Sequence, residues 1–233
     1  MAAVVRVEHL RKVYALGDTE VVALAGVNLQ IDPGEFVAVM GPSGSGKSTF
    51  MQITGLLDRP TSGAYFFDGA DASNLDADAR ADIRSRRLGF VFQSYNLLPR
   101  TSALENVELP MIYAGVPDAK RERIALEKMK IVGVDHLAHH HPNQMSGGQQ
   151  QRVAIARSLV NEPALILADE PTGALDTKTS DDVMRLFANL NDAQGITIML
   201  VTHERDIAMN ARRIVTFRDG LVVSDNRNDS RAA

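Results

Sequence analysis

Residues 41–48 read Gly41-Pro42-Ser43-Gly44-Ser45-Gly46-Lys47-Ser48, two glycines five apart closed by Lys and Ser. An apolar run, Phe36–Met40, precedes them, and a helical stretch from Ser48 to Leu57 follows. Strand, glycine loop and helix in that order restrict the fold severely. Glycines let the backbone wrap so that successive N–H groups face one anion, and the following helix aims its positive end at the same place. Lys47 is placed to hold the β- and γ-phosphates of a nucleotide, and Ser48 to ligate Mg²⁺. A flexible Gly/Ser linker would need neither flank.

The rest of the chain must supply a sheet and helices around that loop. Phe36–Met40, Leu88–Phe92, Leu165–Ala168 and Ile196–Val201 are nearly continuous apolar runs, the pattern of parallel strands buried on both faces. Helical stretches fall between them at Ala119–Val132, Gln149–Val160 and Thr179–Asn191, which argues for a mostly parallel α/β core. Val27–Ile31 alternates with a period of two and reads as an antiparallel strand, with Val4–Val7 and Tyr65–Phe67 as companions, the latter closed by Asp68-Gly69. Residues from about 95 to 160 carry no convincing strand. The expected organisation is one domain: 1–94 and 161–225 form the α/β core with a β subdomain, 95–160 an inserted helical subdomain, and 226–233 a frayed polar tail.

Composition narrows the function. With 45% hydrophobic and 23% charged residues the chain has the makings of a globular core, and a net charge of −4 offers no basic field for nucleic acid. Cysteine is absent, which excludes disulfides and thiolate metal sites. Apolar runs such as Leu165–Ala168 are far shorter than the roughly 20 residues of a spanning helix. Arg6, Glu8, Arg11 and Lys12 interrupt any signal-like segment, so a cytoplasmic location is expected.

Leu165–Ala168 runs into Asp169-Glu170. Neighbouring strand residues point to opposite sides, so the two carboxylates divide the work: Asp169 to orient Mg²⁺ or its water, Glu170 to polarise an attacking water as general base. Gln93 and His203 end two of the other apolar runs. Gly41, Gln93, Asp169 and His203 would then share the carboxyl edge of a parallel sheet, where open α/β folds bind ligands.

Ser146-Gly147-Gly148-Gln149 is a capping box ahead of a helix. Capping does not explain two consecutive glycines, which leave the helix N-terminus approachable by an anion.

In this order, the phosphate loop, Gln93, Met145–Gln149, Asp169-Glu170 and His203 resemble the ATP-binding cassette transporter ATPases. The resemblance implies ATP and Mg²⁺ as cofactors and a P-loop NTPase core with a mostly parallel sheet, an antiparallel β subdomain and a helical subdomain. It extends the ATP-binding set from the loop to Thr49 and to Tyr14, matching the aromatic residue that stacks on adenine. It adds Gln93 to Ser48 and Asp169 around the metal, and groups Gln93 and His203 with Glu170 in catalysis. Ser146, Gly147, Gly148 and Gln149 match the signature motif, which contacts the γ-phosphate held by the other subunit. Asp176 matches a loop that crosses the dimer interface. Met145 stands where Leu is usual, a volume-conserving change. The spacer Ala15–Val22, Gln93–Pro99, Leu104–Pro110 and Gln149–Arg152 are most similar to the lipoprotein-releasing and macrolide-efflux ATPases. That likeness implies an ATP-dependent homodimer on the cytoplasmic face of the membrane, energising a separate integral membrane permease.

A nucleic-acid-associated ATPase of the same superfamily is the alternative, although neither a long coiled coil nor a zinc module is visible. His139-His140-His141 reads as a solvated loop, because three adjacent side chains do not converge on one ion, and Arg84, Arg86 and Arg87 read as solvated surface. Tyr95, Leu97, Leu98 and Pro99 form an apolar stretch expected to receive the permease between core and helical lobe.

Overall fold

The structure, a computed structural model, describes residues 2–17 and 19–228. The strands are β1 (Val5–Leu16), β2 (Thr19–Ile31), β3 (Phe36–Met40), β4 (Ser62–Phe67), β5 (Ala70–Asp71), β6 (Leu88–Phe92), β7 (Leu165–Asp169), β8 (Thr197–Thr202), β9 (Arg213–Arg218) and β10 (Leu221–Arg227). The helices are α1 (Lys47–Thr54), α2 (Ala77–Arg87), α3 (Ala103–Tyr113), α4 (Asp118–Ile131), α5 (Gly147–Leu159), α6 (Thr177–Gln194) and α7 (Arg205–Ala208).

The four apolar runs become neighbours. Their sheet has the order β10-β9-β3-β8-β7-β6, parallel from β9 through β6, with β10 antiparallel at the edge. Strand alternation explains why the runs are continuous. Phe36, Ala38, Ile166, Ala168, Ile198 and Leu200 enter one core with α3 to α6. Val37, Val39, Leu165, Leu167, Met199 and Val201 enter a second core with α1 and the other sheet. Each strand is therefore buried on both faces, as parallel strands under two layers must be.

The second sheet is antiparallel, in the order β2-β1-β4-β5. Within the spacer, the β1–β2 register pairs Ala15 with Glu20 and Leu16 with Thr19. Asp68 and Gly69 close β4 onto β5 with φ of 51° and 80°, the backbone expected of an Asp-Gly hairpin turn.

Several elements lie outside the expected set. α2 has no buried residue, so it writes no apolar period into the sequence. Its start is capped, Asp76 Oδ1 accepting from Ala79 N at 2.8 Å, and Ile83 packs against the core. β9 and β10 extend the main sheet through an Asp219-Gly220 turn with φ of 50° and 75°. The expectation of a frayed tail from residue 226 is overturned at its start. Asn226 and Arg227 pair with Ile214 and Arg213, and Asn228 N donates to Arg212 O at 2.8 Å. Asn228 Nδ2 also donates to Met209 O and Ala211 O at 2.8 Å each. Residues 229–233 lie outside the described residues.

Candidate active site

The parallel register brings the ends of β3, β8, β7 and β6 to one edge, which carries Gly41, His203, Asp169 and Gln93 respectively. A cavity of about 900 Å³ opens there, lined by Tyr14, residues 41–49, Glu170 and His203 among others.

The loop's glycines answer to close contacts. Gly41 and Gly46 have φ of 150° and 101°, and a Cβ would lie 2.3 Å from Phe217 O at the first and 2.5 Å from Ala23 O at the second. Backbone left-handedness and backbone neighbours together exclude a side chain. Lys47 Nζ donates to Gly41 O at 2.7 Å and Pro42 O at 2.9 Å. Burial lowers its pKa, and the Glu170 and Asp169 charges work the other way. Ser45 Oγ is buried without a partner among the described residues, a polar atom awaiting the anion this cradle suits.

Asp169 has the parity of Leu165 and Leu167, and so projects toward the α1 side of the sheet. Burial raises its carboxyl pKa, Glu170 adds to the rise and Lys47 offsets part of it. Glu170 leaves the strand with φ of 44°, and its N–H donates to Val201 O at 2.9 Å. Its Oε1 lies 2.7 Å from His203 Nδ1. Glu170 lines the cavity together with Lys47 and His203, whereas Asp169 does not line it, and both carboxylates act on Lys47, Glu170 the more strongly.

Among the described residues no three His, Cys, Asp or Glu groups could jointly hold a metal. Mg²⁺ does not ask for such a cage, since one or two carboxylates with a few other oxygens, water and substrate phosphates suffice. The Ser48 hydroxyl, the Asp169 carboxylate and the Gln93 amide oxygen are an oxygen donor set of that kind. Gln93 does not line the cavity, and its Nε2 would lie 2.6 Å from a Cβ at Gly173.

Ser146–Gln149 do not line it either. The capping box is present, with Ser146 N donating to Gln149 Oε1 at 2.8 Å and Gln149 N to Ser146 Oγ at 3.3 Å. Its two glycines have neighbours of their own. A Cβ would come within 2.7 Å of Tyr95 Oη at Gly147 and 2.4 Å of Thr179 Cγ2 at Gly148. Asp176 caps α6, accepting from Thr179 N at 3.1 Å and Thr179 Oγ1 at 2.6 Å, and the hydroxyl bond leads in lowering its pKa. The signature and Asp176 therefore gather around Thr179, away from the loop of the same chain.

Two supporting residues lie outside the expected set. Gly220 N donates to Ser45 O at 3.1 Å while Gly220 O accepts from Ala25 N at 2.9 Å, bracing the loop against β2. The Asp219-Gly220 pair was a readable signal for that turn. Gln151, fully buried, donates from Nε2 to Pro171 O at 2.6 Å and so ties α5 to the turn after Glu170. Its position within the apolar face of α5 gave no sign of this.

Of the other candidates, Arg84 donates to Leu56 O, Arg86 pairs with Asp82 and Arg87 with Asp68. Of the stretch after Gln93, Leu97 packs against the core, whereas the Leu98 side chain is 45% exposed while its backbone N and O bond the Asn106 side chain at 2.7 and 3.2 Å. The groove between sheet and helices, about 720 Å³, is lined by Leu57, Phe90, Phe92, Leu109, Pro110 and Tyr113, with Asn96 from that stretch.

The family profile described as ABC transporter matches residues 24–173. The macrolide export ATP-binding/permease protein MacB of Syntrophobacter fumaroxidans is 52% identical over 220 residues, which span 94% of this chain and 31% of that protein. An uncharacterised ABC transporter ATP-binding protein of Thermotoga maritima is 52% identical over 222 residues, 95% of this chain and 94% of its own. Among solved structures, a dimeric post-hydrolysis state of the ATP-binding cassette MJ0796 bound to ADP and Pi superposes with a TM-score of 0.88. It is 46% identical, covering 96% of this chain and 98% of that one. The nucleic-acid alternative finds no support among these matches.

Proposed function

The chain belongs to the ABC transporter family, and on that premise we propose that two copies close head-to-tail on two ATP molecules to drive a separate membrane permease. It is an ATP-hydrolysing cassette. The observation that carries the dimer is the separation of Ser146–Gln149 from the cavity of their own chain, which leaves the signature helix to meet a γ-phosphate in trans.

In that reading Tyr14 stacks on adenine, residues 41–49 wrap the phosphates, and Lys47 leaves its two carbonyls for the β- and γ-phosphates. Ser48, Asp169 and Gln93 hold Mg²⁺, which supplies charge neutralisation at the phosphate oxygens. Glu170 orients and polarises the attacking water, and His203 holds the Glu170 carboxylate in place. Gln93 reports the γ-phosphate to the helical segment 95–160, and Asp176 crosses to the partner.

The permease reading rests on the MacB relative, a fused ATP-binding/permease protein of which this chain covers 31%, and on the apolar groove beside α3. The chain then acts at the cytoplasmic face of the membrane, in an exporter or a lipoprotein-releasing or force-transmitting machine.

Mixing two inactive variants tests the trans site. Lys47→Ala removes one chain's phosphate lysine, and Ser146→Arg blocks the other's signature. A head-to-tail heterodimer carries both lesions in one site and leaves the second intact, so the mixture should regain up to about a quarter of wild-type ATPase activity by random pairing. A mixture as inactive as its components contradicts the arrangement.

A further inference from the structure

Tyr14 reaches the phosphate-loop cavity from β1, and its ring is held from two sides. Its Oη donates to Asp58 Oδ2 at 2.9 Å. The other Asp58 oxygen accepts from Lys12 Nζ at 2.8 Å, and the same ammonium donates to Arg59 O at 2.7 Å. Lys12 Nζ also lies over the Tyr14 ring, 4.8 Å from its centroid. Lys12 does not line the cavity that Tyr14 lines, so the cation covers one ring face and leaves the other to a ligand.

Asp58 is well placed for this. It follows α1, the helix that Lys47 begins, and its own N–H donates to Gln52 O at 3.2 Å. One short helix thus carries the phosphate lysine at its start and, just past its end, the carboxylate that fixes the aromatic ring. Lys12 and Asp58 side chains are 12% and 31% exposed, sheltered enough to be screened less than a surface pair. Burial works against the Asp58 carboxylate, yet the Lys12, Arg59 and Tyr14 hydrogen bonds bring its pKa below the ordinary value. It is an anion at neutral pH.

We propose that Asp58, together with Lys12, is a positioning residue for nucleotide binding, fixing the Tyr14 ring so that one face is presented to the purine base. This rests on Tyr14 being the base-stacking residue. A ring locked before binding loses less rotational freedom when the base arrives, and a cation on its far face adds polarisation that a free tyrosine lacks.

The test compares two ligands, Mg-ATP and Mg-tripolyphosphate, which share phosphates and differ in the nucleoside. Affinities are measured for wild type, Tyr14→Ala, Asp58→Asn, Tyr14→Phe and the Asp58→Asn/Tyr14→Phe double variant. Asp58→Asn should weaken ATP about tenfold, the scale of one charge-assisted hydrogen bond, and leave tripolyphosphate within about twofold. Tyr14→Phe, which keeps the ring and removes the bond to Asp58 outright where Asp58→Asn still leaves an acceptor, should weaken ATP at least as much. The double variant should be no weaker than Tyr14→Phe alone. If Asp58→Asn does not fold, Tyr14→Phe carries the comparison alone. Wild-type ATP affinity in Asp58→Asn and Tyr14→Phe, with a loss in Tyr14→Ala, overturns the role of Asp58 and spares the stacking reading. Wild-type ATP affinity in Tyr14→Ala overturns the stacking reading itself. Equal weakening of both ligands by Asp58→Asn marks a general structural defect and also overturns the proposal.

Discussion

His203 Nδ1 stands 2.7 Å from Glu170 Oε1, a contact made by two residues just past the ends of adjacent parallel strands. The β7–β8 register, Asp169 opposite Val201, and the Glu170 N–H on Val201 O at 2.9 Å fix the separation. In the proposed function the histidine holds the carboxylate that a water would approach. The pairing also orders the turn that Gly173 N closes on Glu170 O at 3.1 Å.

Glu170→Gln keeps the shape and removes the carboxylate proposed as the base. Single-turnover hydrolysis should fall by about 10²–10⁴-fold, while equilibrium binding of Mg-ATP stays near wild type. Quenched-flow measurement of phosphate release checks the first and nucleotide titration the second. A wild-type rate would move the base elsewhere.

Gly220→Ala should destabilise the fold through the phosphate loop's brace. Gly220 has φ of 75°, and a Cβ would lie 2.9 Å from Ala23 O. Left-handed backbone strain and that contact together cost about 1–3 kcal/mol, measurable by urea unfolding. A midpoint equal to wild type would show that the turn relaxes freely.

The sequence exposed the main sheet because each of its central strands is buried twice, as Val37 and Ala38 or Leu167 and Ala168 are on opposite faces. It exposed the phosphate loop because Gly41 and Gly46 are each pressed by backbone oxygens. It could not show α2, which fully buries no residue and brings only Ile83 against the core. Nor could it show that β9 lies beside β3, since Val215 opposite Val39 is a long-range choice written in no local pattern. Gln151 was invisible for a related reason: its partner, Pro171 O, comes from a distant turn. The glycines at 147 and 148 looked like an open anion site, and in the chain they also admit Tyr95 and Thr179.

Asp225→Asn should show a pH-dependent loss of stability. Arg213 grips Asp225 with two bonds of 2.7 Å, and this contact leads in holding the carboxyl below its ordinary pKa, against burial. A depressed pKa contributes stability that is full above the unfolded aspartate value and lost as pH falls through the lower folded value. Wild type should therefore exceed the variant by about 1 kcal/mol at neutral pH, the modest figure reflecting solvent screening of a partly exposed pair. The gap should close in strong acid. Denaturant unfolding across pH checks it, and a gap that stays constant would contradict the ion-pair account.

The groove beside α3 should transmit work rather than perform chemistry. Tyr113 is 75% exposed at its rim. Tyr113→Asp should leave basal ATP hydrolysis within about twofold, since a surface substitution costs little, while abolishing stimulation by the permease in lipid vesicles. Retained stimulation would place docking on another face.

ATP itself is expected to close two chains together. Sedimentation velocity of Glu170→Gln with and without Mg-ATP should give a monomer without nucleotide and twice that mass with it; a single mass in both conditions would show that ATP does not join the chains.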